Sequence, residues 1–240
     1  MRSVIQVSVP STELVTSADM SPMLHGYPAG EASFLALTIT AARDYVEGMT
    51  GYSLAPRNFI QYADRFPMQS LFSPMFPIPF PLLGFVPSIN SAVQRSPYEI
   101  ELMRNPGLAV SQIVYLDTTG TPQTLLPGVD FAADLTSTPA RVTPMPQPLG
   151  SSSLKFFWPA CLPGPKSIAI YYAAGFYTSA DQLTTEAQPR DLGFPPILKA
   201  LVMALTEKWF VNRDNYGEVP KPIQDLIFAN RVTDYNPSIE

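Results

Sequence analysis

The sequence predicts an α+β fold: amphipathic helices packed with a small antiparallel β subdomain, plus a proline-rich extended arm. Three observations predict it. Apolar residues recur at helical spacing over 31–50 and again over 197–211. Short β runs punctuated by Gly and Pro occupy 98–175. No strand–helix alternation of the parallel, nucleotide-binding kind interrupts that order. The 240 residues are 46% hydrophobic and 15% charged, ample for the core of one elaborated domain or two small ones. The 27 prolines, about twice the average usage, point to turns, short strands and irregular arms.

An N-terminal segment, 1–30, opens with the alternating run VIQVSV and then offers a helical turn around Ser17 to Leu24. The first helix and strand take 31–66. In the helix, Phe34, Leu37 or Thr38, Ala41, Tyr45 and Met49 form a stripe that Leu35, Ile39, Ala42 and Val46 widen, and Gly51 supplies the stop. Arg43, Asp44 and Glu47 fall off that stripe, on a solvated face or a subunit contact. A strand follows over 57–66, with Ile60, Tyr62, Asp64 and Phe66 on one side of the pleat.

Residues 67–97 form a proline-rich apolar insertion centred on SPMFPIPFPLLGFVP at 73–87. Proline lacks an N–H and clashes with the preceding turn, so this run is neither a helix interior nor a central strand. Its aromatic and aliphatic side chains are too many for a solvated linker, so something covers them. The antiparallel β subdomain, 98–175, is built from YEIEL, SQIVYLD before the turn TTGTP, VDFAADL, ARVT, LKFFW and SIAIYYAAG. After a polar, loop-like stretch from 176 to 194, the C-terminal helices take 195–230. Pro195 and Pro196 suit a first helical turn, where amides need no acceptor, and Leu198, Leu201 or Val202, Leu205 and Trp209 make the stripe. A last short helix starts at Pro222, with Ile223, Leu226 and Ile227 inward, and the C-terminal tail is 231–240.

Several functions are disfavoured outright. A net charge of −5 without a Lys/Arg cluster argues against reading nucleic-acid sequence. One cysteine, Cys161, and one histidine, His25, exclude an intrachain disulfide and any site with two or more such ligands from one class; Cys161 reads as a small hydrophobe at a turn and His25 as a loop residue. No phosphate loop, GxSxG elbow, HExxH or EF-hand spacing occurs, so neither cofactor nor metal is expected. No apolar run reaches 18 residues and the N-terminus has no cleavable apolar leader, which predicts synthesis in the cytoplasm and no membrane partner.

Three ordered blocks carry a resemblance. AARDYVEGMTG at 41–51 comes first, then IVYLDTTG at 113–120 with DFAADL and IAIYYAAGFY at 168–177, then PPILKALVMALTEKWFVNRD at 195–214. Together they resemble the head-tail connector proteins of tailed phages, the head-completion or adaptor family, which includes prophage proteins described as DNA-packaging factors. The resemblance covers roughly 31–66 and 98–231; the 67–97 insertion and the irregular N-terminal segment depart from it. It implies a noncatalytic virion structural protein of the host-cytoplasm-made head-tail junction. It also implies a homo-oligomeric ring, usually of twelve subunits, bound to the portal protein and to the next neck or tail protein, with DNA passing through its channel without sequence recognition. Competing readings are another neck component, such as a stopper or tail-terminator, and a carboxylate-dependent hydrolase, whose paired acids need no fixed spacing.

Within the resemblance, Phe76, Phe80 and Phe85 are the expected anchors of the arm on a neighbouring subunit or the next virion protein; the alternative is that the arm covers its own sheet. Arg231, Asp234, Tyr235 and Ile239 are the expected portal-docking residues, the alternative being a frayed terminus. Asp44, Glu47, Arg43 and Lys208 are candidates to line the channel because they lie off the helical stripes.

Overall fold

The computed structural model describes residues 2–8, 13–25, 29–67, 98–145, 158–176, 195–213 and 217–232. The proline-rich run at 73–87, most of LKFFW and the polar stretch 177–194 lie outside them.

The fold is α+β, as the patterning predicts. Strand β1 (Arg2–Gln6) pairs antiparallel with β2 (Arg57–Ala63). Between them lie a short helix α1 (Ser17–Met20) and the long helix α2 (Ala32–Thr50). Then come β3 (Ile100–Glu101), β4 (Gly107–Leu116), β5 (Pro122–Leu125), β6 (Phe131–Asp134), β7 (Arg141–Pro144) and β8 (Ile168–Ala174). Helices α3 (Pro196–Val211) and α4 (Lys221–Ala229) follow. One sheet has the order β1-β2-β8-β4-β5 and a second the order β3-β7-β6, all neighbours antiparallel.

Two cores result, because strand and helix periods bury different faces. Alternate residues of β2, β4 and β8, among them Phe59, Ile113, Ile170 and Tyr172, meet Ile100, Phe131 and Val142 of the smaller sheet. Phe66 and Trp158 stack at 4.9 Å within this core, and Trp158 Nε1 donates to Tyr98 O. The second core is helical: Leu35, Ile39, Ala42 and Val46 of α2 pack on Leu198, Leu201, Val202, Leu205 and Trp209 of α3, with Met20 and Ile227 closing the ends.

Four expectations are corrected here. Strand β2 ends at Ala63, and its buried side chains are Arg57, Phe59, Gln61 and Ala63; a bend at 64–65 then turns Phe66 into the core, so it does not continue the Ile60–Tyr62 face. In α2 the widening residues are the core, and of the two offered at one stripe position Thr38 is buried while Leu37 is 62% exposed; Met49 lies at the surface. Leu226, expected inward, is exposed. Arg43 and Glu47, expected on a solvated face, are 3% and 7% exposed. Charge alone misplaced them, because each has an oppositely charged partner that arrives from another part of the chain.

Those partners join the two cores. Glu47 Oε1 accepts from the guanidinium of Arg57 and, at 2.7 Å, from the N–H of Leu54. Arg57 Nη1 reaches back to Gln6 on β1 at 2.7 Å, and Arg104 Nη1 donates to the Glu47 carbonyl at 2.7 Å. Burial pushes the Glu47 carboxyl up from its ordinary range, against the pull of Arg57 and the Leu54 N–H. On the outer side of α2, Arg43 pairs with Glu13 and with Asp44. Gly51, at φ 79°, ends the helix in the left-handed conformation and sends its chain toward Asn105. Asn105 is buried; its backbone pairs with Gly51 and Ser53, and its side chain joins Leu102 O to Ala140 N–H. At the same junction Gly175, φ 141°, passes so close to the 55–56 backbone that a Cβ there would lie 2.4 Å from Ala55 O.

Three consequences are measurable by urea or thermal unfolding. Gly175→Ala destabilises the chain by about 2–4 kcal/mol, because backbone must move, whereas Gly120→Ala, at a similarly positive φ in open space, costs about 1 kcal/mol. Arg57→Ala costs about 3–5 kcal/mol by stranding a buried carboxylate; Glu47→Gln with Arg57→Met keeps an acceptor for Leu54 and recovers about half of the loss. The third concerns Asp19 at the start of the helical layer. The Lys199 ammonium at 2.9 Å and the Thr16 cap hold its carboxyl near pKa 2 rather than 3.8. A depressed carboxylate pKa stabilises the fold above the unfolded value and is lost as pH falls toward 2, so Asp19→Asn flattens the acid limb of stability between about pH 4 and pH 2.

Candidate assembly surface

The surface that stands out lies where α4 rests against the last turns of α2. Helix α4 is only nine residues long and starts with Pro222 in its first turn, where a missing N–H does no harm. Its Ile227 is buried on the helical core and Ile223 is half-buried beside it. That packing leaves the other sides of a nine-residue helix to solvent, and Leu226 and Phe228, 61% exposed, occupy them.

Between the helices runs a groove of about 390 Å³ lined by Tyr45 and Met49 of α2 and by Gln224, Asp225, Ile227, Phe228 and Arg231. Its walls are fixed. Tyr45 packs edge-on against Trp209 with ring centroids 5.9 Å apart, and Gln224 Nε2 donates to Val219 O at 3.0 Å. Below Arg231 the Val232 N–H donates to Thr50 O at 2.8 Å, and the Val232 side chain is buried. The chain leaving α4 is therefore pinned to the C-terminal end of α2, using one of the carbonyls that a helix end leaves without an intrahelical partner.

Arg231 sits over the Phe228 ring, its guanidinium carbon 3.9 Å from the centroid. It makes no ion pair with any described residue, and neither does Asp225 six residues earlier. The groove thus combines an aromatic and thioether floor with one cation and one anion at its edges. Among the described residues it holds a single carboxylate, Asp225, not the facing pair that a carboxylate hydrolase uses. Among the described residues no group of three His, Cys, Asp or Glu could hold a metal ion, and no helix is long and apolar enough to cross a membrane.

Of the expected docking residues, Arg231 lies on this groove. Asp234, Tyr235 and Ile239 lie outside the described residues, as do Phe76, Phe80 and Phe85. Among the expected channel residues only Asp44 is well exposed, and it is tied to Arg43; Lys208 is half-buried, and Arg43 and Glu47 belong to the interior. The sequence places Tyr45 and Met49 only in the apolar stripe of α2, not at a surface site, and does not single out Phe228. The i, i+3 spacing of Phe228 and Arg231 on a helix end was the available signal.

No protein-family model and no curated protein matches the chain. Solved structures do resemble it. The fold is similar to a chain from the neck of an empty gene transfer agent (GTA) particle computed with C6 symmetry, at 16% identity, a TM-score of 0.59, and 96% coverage of both chains. A chain from the virion of a native gene transfer agent particle matches at 16% identity and a TM-score of 0.58, over 96% of this chain and 95% of that one. A third, from the neck of the native particle computed with C12 symmetry, matches at 17% identity, a TM-score of 0.54 and 96% coverage of both. At such identities the likeness establishes a shared fold across nearly the whole chain.

Proposed function

We propose that this chain is a noncatalytic virion structural protein, a head-tail adaptor whose copies form a ring between the portal and the neck or tail and extend the DNA channel. One observation carries the reading: end-to-end likeness, 96% of each chain, to a chain from a particle neck computed with sixfold symmetry. The third matching chain, from a neck computed with twelvefold symmetry, supports a ring of twelve. The three ordered sequence blocks support it independently, since they map onto α2, β4 with β6 and β8, and α3, the framework of both cores.

In this reading the subunit works by geometry. A ring needs one face of a subunit to meet a different face of the next at an angle that closes. The helical layer and the sheets hold that angle through the Glu47–Arg57 junction. Phe76, Phe80 and Phe85 are the arm's anchors on a neighbour, and Arg231 with Asp234, Tyr235 and Ile239 docks on the portal. DNA contacts follow the backbone charge, with no base reading.

Electron microscopy of the purified chain mixed with its portal tests this. A twelve-subunit ring stacked on the portal is the expected image. Deleting 74–87 leaves folded subunits that do not close the ring, and truncation after Val232 leaves rings that do not hold the portal. A chain that binds another neck component but never the portal would support the stopper or terminator reading instead.

A further inference from the structure

We infer that in solution two copies of this chain pair through the free edge of β1, their Arg2–Gln6 strands lying antiparallel about a two-fold axis at Val4 and joining the two five-stranded sheets into one. The inference goes beyond the adaptor reading and does not rest on it. Such a contact is isologous, whereas the contacts of a ring are heterologous, so it belongs to the free protein before any ring is built.

The hydrogen-bond register of β1 supplies the edge. Ser3 faces Tyr62 and Ile5 faces Ile60, and the same register continues to the Val7 N–H, which donates to Asn58 O at 2.9 Å. In an antiparallel pair alternate residues exchange the bonds, so Ser3 and Ile5 spend theirs on β2. Arg2, Val4 and Gln6 direct their N–H and C=O groups outward, and no described strand meets them. The edge is held in shape: Val4 packs on the sheet core, Gln6 Oε1 accepts from Arg57 at 2.7 Å, and Gln6 Nε2 donates to Ser8 O at 2.9 Å. It also lacks the usual guards. From Ser3 to Val9 the sequence has no charge and no proline, and the β-branched Ile5 and Val7 are exposed. Left bare, such a strand is a template for aggregation.

The occupant follows from what a second copy can offer. Strand β3 is two residues long. On β5 the bond from Asp117 N–H to Thr121 O sets Pro122 and Thr124 outward, and Pro122 has no N–H to give. On β6 the bond from Met145 N–H to Asp130 O sets Phe131 outward, and its carbonyl already accepts from Gly128 of its own turn at 2.8 Å. Among the described residues only β1 therefore presents a free edge of its own length, and that edge complements itself. With Val4 opposite its own counterpart, Arg2 falls opposite Gln6 in both directions, so the outward residues of the two strands exchange about six hydrogen bonds. A slip of two residues loses a pair. On the core face the half-buried Val4 side chains meet across the axis, and on the outer face each Ile5 lies opposite Ser3, so apolar surface is covered on both sides.

Sedimentation of the full chain at micromolar concentration, without portal, is expected to show a dimer. Val4→Pro removes an outward N–H that β2 does not use, one from each copy, and should weaken the dimer about ten-fold or more while the subunit stays folded. If that variant does not fold, crosslinking decides. Val4→Cys should give disulfide dimers on mild oxidation, because bonded antiparallel neighbours lie about 5.5 Å apart at Cα, within disulfide reach. Val7→Cys, about 20 Å from its counterpart in this register, should not. The native Cys161 is buried. A monomer or a ring-sized species in place of the dimer, a dimer indifferent to Val4→Pro, or Val7→Cys crosslinking as readily as Val4→Cys would each overturn the inference. Portal binding and ring closure enter none of these readouts, so the adaptor reading stands or fails separately.

Discussion

A carboxylate buried in the interior is tolerable only if charge and hydrogen bonds meet it there, and Glu47 is the point on which this structure turns. Its pairing with Arg57 brings α2 against the start of β2, and the Leu54 N–H fixes the connection between them. The Arg57 Nε atom finds no hydrogen-bond partner, so the pair is not a maximally stable arrangement. Apolar residues of similar volume would meet the same steric need with less desolvation. What the ion pair adds is directional: a guanidinium that touches Gln6 on one side and Glu47 on the other admits one orientation of strand against helix.

That constraint matters because, among the described residues, the two cores meet along a short seam. The helical cluster and the sheet cluster meet along a narrow waist formed by residues 51–57, 104–107 and 174–176, where Asn105 and Gly175 complete the seam. Two layers joined by backbone hydrogen bonds, a buried ion pair and a contact without room for a methyl group behave as one body. In the proposed ring, angular error at the waist would be multiplied around the closed assembly.

The sequence exposed the elements far better than their orientation. Periodicity located α2 and α3 to within one to three residues, because each has a dense apolar stripe and one clear boundary: the Gly51 stop for the first, the Pro195–Pro196 start for the second. The run SIAIYYAAG matched β8 to within a residue at each edge. Orientation failed where tertiary partners decide it. Arg43 and Glu47 look like surface residues until Glu13 and Arg57, distant along the chain, arrive to neutralise them. Phe66 looks like a strand residue until the bend at 64–65 reverses it. The groove was invisible for a related reason, since its walls come from α2 and α4, nearly 180 residues apart, and only Arg231 carried a sequence-level signal.

The exposed apolar residues then acquire a common explanation. Scattered leucines on a surface need none, but Met49 and Phe228 line one groove with Arg231, which makes no ion pair among the described residues. Fully burying one such side chain is worth roughly 1.5–3 kcal/mol, too little to hold two subunits together against the entropy of association. Repeated in every copy of a closed ring, the same modest gain counts once per interface while closure itself is shared. In a ring of the proposed kind, contacts weak in pairs can therefore be decisive. Three charged residues, Arg43, Glu47 and Arg57, lie inside and are ion-paired there, so their charge sets the angle between layers and is not offered to a partner.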